Sequence, residues 1–345
     1  MRPRRTITRS LLGFLALAGC VLAGAPHAAA VPAGNTVGES GSGTAFRHYV
    51  ALGDSYTSGP LIPWQRLDPL GCFRSTNNYP SLLADRLGVR STTDVSCGGA
   101  DTTHMASPQD VPLGPNPPQF DALRANTDLV TLGIGGNDFG VFGNIVGTCP
   151  ALRETDPTGA PCREHFTESG QDQLLAVMPW ITDRVRGVLA GIERRSPNAT
   201  VLVIGYPRIA PETGYCPDIL PFADGDYAWA NEIERALNAA IEEATTGFDA
   251  RFVDTYPASE GHDACAPDGA AWINGQHIKP LAAANYHPYK TGMIGVANVI
   301  YRELTGMPAP TDADTVHVAR PVASAAQLDA LARTFRTPEA RPAGR

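Results

Sequence analysis

Between residues 48 and 304, short apolar runs alternate with stretches whose apolar residues repeat at helical spacing, and this alternation restricts the fold more than any other property of the chain. His48 to Leu52, Leu129 to Ile134, Val201 to Ile204 and Arg251 to Val253 are too short for helices and end beside turn residues; Thr92 to Ser96 is a weaker fifth run. All five read as strands. Between them, Tyr79, Leu82, Leu83 and Leu87 share a helical face closed by Gly88, and Leu174, Met178, Ile181, Val185, Val188 and Ile192 form a longer stripe. Trp229, Ile233, Leu237 and Ile241 repeat the pattern, as do Met293, Val296, Ile300 and Leu304 before Gly306. Strand and helix in alternation imply an α/β fold, a parallel sheet with helices on both faces. No internal repeat or charge run divides the stretch, so a single domain is expected over 47–307.

The two ends read differently. Arg2, Arg4, Arg5 and Arg9 precede an apolar core from Leu11 to Ala25, and Ala28-Ala29-Ala30 offers a small-residue cleavage site. Residues 1–30 are therefore expected to be a secretory signal peptide, followed by a Gly/Ser/Thr-rich linker over 31–46. Leu17-Ala18-Gly19-Cys20 has the form of a lipoprotein box, but the apolar run continues through Val21 and Leu22, which favours removal of Cys20 over anchoring through it. Residues 308–345 read as a tail, with one short amphipathic helix across Leu328, Leu331 and Phe335. Beyond Cys20, six cysteines remain, an even number in a chain expected to be exported, which is a disulfide framework. No C-x-x-C pair accompanies the scattered histidines, so no metal is expected. A net charge of −8 without a basic stripe argues against nucleic acid as a partner.

The first strand stops at Gly53-Asp54-Ser55, which puts a hydroxyl at the carboxyl edge of the sheet, where open α/β folds place their ligands. Ser55 is the candidate nucleophile. A serine hydroxyl needs a base to take its proton, and His287, in Asn285-Tyr286-His287-Pro288 just ahead of the last helix, is the best placed histidine. Attack on a carbonyl leaves an oxyanion, for which three donors are available: the Ser55 N–H, the Gly99 N–H and the Asn137 side-chain amide. The glycines of Gly133 to Gly136 do not form a phosphate-binding P-loop, since no Lys follows at the required spacing.

Gly53-Asp54-Ser55, Gly99 in Cys97-Gly98-Gly99-Ala100, Gly136-Asn137-Asp138 and His287-Pro288 together resemble, in order and spacing, the sequence blocks of the SGNH (GDSL) hydrolases over about residues 48 to 304. The resemblance is greatest to secreted actinobacterial esterases and lipases with three disulfides. It implies a flavodoxin-like three-layer α/β/α fold with a five-stranded parallel sheet, and the pairings Cys72–Cys97, Cys149–Cys162 and Cys216–Cys265. One position departs from the family's side-chain triad: an Asp is expected three residues before the His, and Ala284 stands there. The resemblance then implies a Ser-His dyad with a backbone carbonyl of Ala284 or Asn285 orienting His287; Asp263 and Asp268 are the side-chain alternatives. The α/β-hydrolase elbow does not apply, because Thr57 replaces its second glycine.

The sequence thus leads to a secreted serine esterase or lipase, acting as a monomer without cofactor on small-molecule or lipid esters, with at most transient contact with lipid interfaces. A polysaccharide acetyl esterase is the rival on the same fold. A metal-dependent phosphoesterase using Asp54, Asn137, Asp138 and His287, or a binding module without catalysis, are the rivals from other classes. Pocket shape is assigned to loops over 60–78, 139–170 and 206–228.

Overall fold

The computed structural model describes residues 46–310, 323, 324, 326 and 327. The expected signal peptide, Cys20, the linker up to residue 45 and the helix across Leu328, Leu331 and Phe335 lie outside these residues. Five strands form one parallel sheet: β1 (His48–Gly53), β2 (Ser91–Asp94), β3 (Leu129–Gly133), β4 (Thr200–Ile204) and β5 (Ala250–Val253), in the order β2-β1-β3-β4-β5. The three central strands, β1, β3 and β4, are almost wholly buried and mainly apolar because helices cover both faces of a parallel sheet, whereas the edge strands β2 and β5 are more exposed. Eight α-helices are defined among the described residues: α1 (Ser55–Ser58), α2 (Tyr79–Leu87), α3 (Val141–Arg153), α4 (Pro161–Thr167), α5 (Gln173–Ala176), α6 (Met178–Arg195), α7 (Asp226–Ala244) and α8 (Lys290–Thr305). The pairs α2/α8 and α6/α7 pack side by side as the flanking layers. Their stripes are the expected ones, with Leu82, Leu83, Ile181, Val185, Ile192, Trp229, Ile233, Leu237, Met293 and Ile300 all buried.

The chain leaves β1 toward β2 on one side and returns to β3 on the other, so the order reverses between β1 and β3. This is the topological switch point at which open α/β sheets bind ligands. The residues after β1 and after β3 meet there, Gly53 standing opposite Gly133 in register.

Three local expectations are corrected. β2 ends at Asp94, two residues before the expected end at Ser96, because the Asp94 carboxylate accepts from Ser96 N at 3.0 Å and Ser96 Oγ at 2.6 Å and turns the chain out of the strand. The stripe from Leu174 to Ile192 is two helices, α5 and α6, with Pro179 in the first turn of the second. The segment 139–170, expected as a loop, is largely helical: Gly143, Gly147 and Pro150 interrupt the apolar spacing of α3 and hid it from periodicity.

The disulfides join Cys72–Cys97, Cys149–Cys162 and Cys216–Cys265. The second staples α3 to α4, and the first pins the 60–78 loop beside Gly98-Gly99. Bridges of this kind in exported domains contribute about 2–5 kcal/mol each. The buried Arg74 guanidinium holds the same loop, donating to Ser96 O at 2.5 Å, Asp68 O at 2.9 Å and Asn116 Oδ1 at 3.0 Å.

Candidate active site

The turn that presents Ser55 is built by close approach. A Cβ on Gly53 would stand 2.2 Å from Thr57 Oγ1 and 2.7 Å from Gly133 O, so no side chain fits at the end of β1. The Gln119 amide grips the same residue at both ends, accepting from Gly53 N at 2.8 Å and donating to Gly53 O at 2.9 Å. Asp54 N then donates to Gly133 O at 3.0 Å, and the Asp54 carboxylate caps α1 by accepting from Tyr56 N at 2.8 Å. Ser55 opens that one-turn helix, where its N–H has no carbonyl partner within the helix. Ser55, the candidate nucleophile, is buried at 6% exposure.

His287 arrives from the loop ahead of α8. Its Nδ1 lies 2.6 Å from the Asn285 carbonyl. A carbonyl only accepts, so Nδ1 carries the proton and Nε2 is the basic nitrogen. Of the two carbonyls expected to orient it, the structure therefore uses Asn285; Ala284 O instead takes the His287 N–H at 3.3 Å and Asn274 Nδ2 at 2.9 Å. Asp263 is engaged with Cys265 N at 2.9 Å, and Asp268 is an exposed carboxylate 3.8 Å from Lys279 Nζ. The loop reaches the nucleophile turn through Tyr56, whose hydroxyl donates to Tyr286 O at 2.8 Å and whose ring lies 5.8 Å from the imidazole. Tyr286 has φ of +58°, strained for a side chain of this size and held by its own N–H to Gly275 O at 3.0 Å.

The three donors come from three segments. Ser55 N belongs to the α1 turn. Gly99, with φ of +74°, exposes its N–H in a left-handed conformation that favours glycine, beside the Cys72–Cys97 bridge. Asn137 follows Gly136, and its side-chain Nδ2 donates one hydrogen to Ala100 O at 2.8 Å; this fixes the amide and leaves its other hydrogen for a ligand.

Four further residues shape the site: Asp138, which stands in a sequence block already singled out, and three that carried no sequence signal. Asp138, fully buried, ties the Asn137 loop to the Gly99 loop by accepting from Thr102 Oγ1 at 2.5 Å, Thr102 N at 3.1 Å and Arg184 Nη1 at 3.0 Å. Gln119, Tyr56 and Tyr206 are the others. Each acts through a partner distant in sequence, so local spacing carried no signal for them. Asp54 and Asp138 are thus both turned inward onto protein donors, which disfavours the ligand set of the phosphoesterase alternative; among the described residues, no three His, Cys, Asp or Glu side chains converge as a metal cluster.

Burial lowers the His287 pKa to about 4, against the smaller opposing effect of the Asn285 carbonyl. The imidazole is then neutral, and able to accept a proton, throughout the neutral range. If His287 is the base, the acid limb it contributes to kcat/KM for a soluble ester is expected near pH 4, well below the unperturbed 6.5, and is read in Asp54→Asn, because Asp54, pushed up to about 7 by burial, would otherwise add a limb of its own. Initial rates after brief exposure, with full recovery on return to pH 7 as control, check this; an acid limb centred at or above 6.5 in that variant would contradict it.

The model of the GDSL-like lipase/acylhydrolase family matches residues 51–293. "Lipase 2" of Streptomyces coelicolor is 37% identical over 278 residues, covering 79% of this chain and 88% of that protein. Among solved structures, phospholipase A1 from Streptomyces albidoflavus NA297 superposes with a TM-score of 0.61 at 27% identity, over 74% of this chain and 98% of that one. The extracellular lipase from Streptomyces rimosus superposes with a TM-score of 0.60 at 27% identity over the same shares.

Proposed function

The chain belongs to the GDSL-like lipase/acylhydrolase (SGNH) family and is a carboxylic ester hydrolase, and on that premise we propose that it is a secreted serine esterase or lipase working through an acyl-enzyme on Ser55. Ser55 Oγ attacks the ester carbonyl while His287 Nε2 takes the hydroxyl proton. The Ser55 N–H, the Gly99 N–H and Asn137 Nδ2 receive the negative oxygen. Collapse expels the alcohol, which leaves with the proton from His287. Water, deprotonated by His287, then attacks the acyl-Ser55 ester, and the acid departs as Ser55 recovers its proton.

The observation that carries this reading is the Nδ1–Asn285 contact, since a carbonyl acceptor fixes the tautomer a general base needs without a carboxylate. Secretion is supported by the three disulfides and by the extracellular relative. Lipid esters are the proposed substrates because the two superposable relatives are named as a phospholipase A1 and a lipase. The same domain boundaries, 47–307, are proposed for the catalytic unit.

A panel of p-nitrophenyl esters from acetyl to palmitoyl, run beside phospholipid vesicles and acetylated xylan, tests the substrate class. Turnover of the aliphatic esters with fatty acid released from the vesicles is expected. Acetate released from xylan with no fatty acid from lipid would make the enzyme a polysaccharide acetyl esterase.

A further inference from the structure

Tyr206 follows β4 and is 2% exposed. Its backbone is gripped from both sides by Asn238 of α7: Tyr206 N donates to Asn238 Oδ1 at 2.8 Å, and Asn238 Nδ2 donates to Tyr206 O at 2.9 Å. Its ring stands edge-on to Tyr56 at 5.3 Å and to Phe142 at 5.1 Å. The hydroxyl is therefore delivered from a fixed base, and it joins two segments: it donates to Asp54 Oδ2 at 2.5 Å and accepts from Gly136 N at 2.8 Å. Asp54 immediately precedes Ser55, and Gly136 immediately precedes Asn137.

We propose that Tyr206 is a positioning residue for the ester hydrolysis, its hydroxyl setting the separation between the nucleophile turn and the Asn137 amide that meets the oxyanion. The proposal rests on the Ser55 reading above. A hydroxyl suits this place because it donates and accepts at once, bridging a carboxylate to an amide N–H. Gly136 is closely packed beside the bridge, since a Cβ on it would stand 2.3 Å from the Phe142 ring and 3.0 Å from the Tyr206 hydroxyl. Without the hydroxyl, a buried carboxylate oxygen and a buried N–H both lose their partner. Asp54, whose carboxyl is pushed up to about 7 by burial while Tyr206 and the Tyr56 amide favour its ionised form, would be held less firmly. The small displacement that follows falls on Asn137, whose geometry matters only in the transition state.

Tyr206→Phe, with active sites counted by fluorophosphonate titration, is expected to lower kcat on p-nitrophenyl butyrate about tenfold or more, short of the ~10²–10³ for losing a donor outright, with KM within about twofold. Affinity for a trifluoromethyl ketone analogue should fall by the same factor as kcat/KM. In an Asn137→Ala background, Tyr206→Phe should cost almost nothing further, since both act through the same amide. A purely structural role gives a lower Tm with unchanged kcat per titrated site, or a loss that multiplies in full onto Asn137→Ala; either overturns the proposal. Should Tyr206→Phe not fold, Asn238→Ala serves: it releases the Tyr206 backbone that carries the hydroxyl and so loosens the bridge without touching either catalytic loop, and the same non-additivity with Asn137→Ala is expected. Failure of the wild-type protein to label at Ser55 removes the underlying reading and this proposal with it. Labelling at Ser55 with unaltered Tyr206→Phe kinetics removes this proposal alone.

Discussion

His287→Ala is expected to lower kcat on a soluble ester by about 10⁵–10⁶-fold while leaving KM and the fold nearly intact, a loss of about 7–8 kcal/mol in transition-state stabilisation. The size follows from the chemistry: without Nε2, Ser55 must lose its proton to water, and what remains is substrate binding plus the oxyanion donors. Two controls separate the backbone-oriented dyad from a triad. Asp263→Asn and Asp268→Asn should each keep kcat within a few-fold, because Asp263 is engaged with Cys265 N and Asp268 is exposed, whereas replacing a triad aspartate in another serine hydrolase cost about 10⁴ by favouring the wrong tautomer. A loss of three orders of magnitude in either, in a folded protein, would assign that carboxylate to His287 and displace the Asn285 carbonyl from the account.

Asn137→Ala carries the second large effect, a fall in kcat of about 10²–10³ with little change in KM. One amide hydrogen of Asn137 is committed to Ala100 O, which fixes the side chain in advance, and in the proposed mechanism the charge that the other would meet exists only in the transition state. Steady-state kinetics on the ester series separates the two parameters. An effect confined to KM would make Asn137 a substrate-binding residue. An unchanged kcat would leave the oxyanion to Ser55 N and Gly99 N alone.

The sheet and the four amphipathic stripes were legible in the sequence because the central strands are short apolar runs buried on both faces and the helices repeat their apolar residues at 3.6 spacing, each within its own length. α3 was not, since Gly143, Gly147 and Pro150 break its stripe and its pairing with α4 depends on a disulfide. The site divides in the same way. Ser55, Gly99, Asn137 and His287 stand in short sequence blocks that a family resemblance makes visible, and the structure brings their loops to the switch point between β1 and β3. The roles of the groups that hold those loops were silent: Tyr206 reaches Asp54 across 152 residues and Gln119 reaches Gly53 across 66, while Asp138 stood in a sequence block but its reach to Arg184 across 46 residues did not show. A tyrosine, an aspartate or a glutamine beside an apolar run looks alike whether it faces water or bridges two catalytic loops. The choice between the Ala284 and Asn285 carbonyls was likewise closed to sequence, because it turns on the direction of one imidazole.

Peptide mass spectrometry of the protein after reaction with a fluorophosphonate probe tests the nucleophile directly. A single phosphonyl adduct is expected, on Ser55, forming in step with the loss of esterase activity, absent from Ser55→Ala, and unaffected by EDTA. An adduct on another residue with Ser55 unmodified, or turnover that EDTA abolishes and added metal restores, would contradict serine catalysis at Ser55.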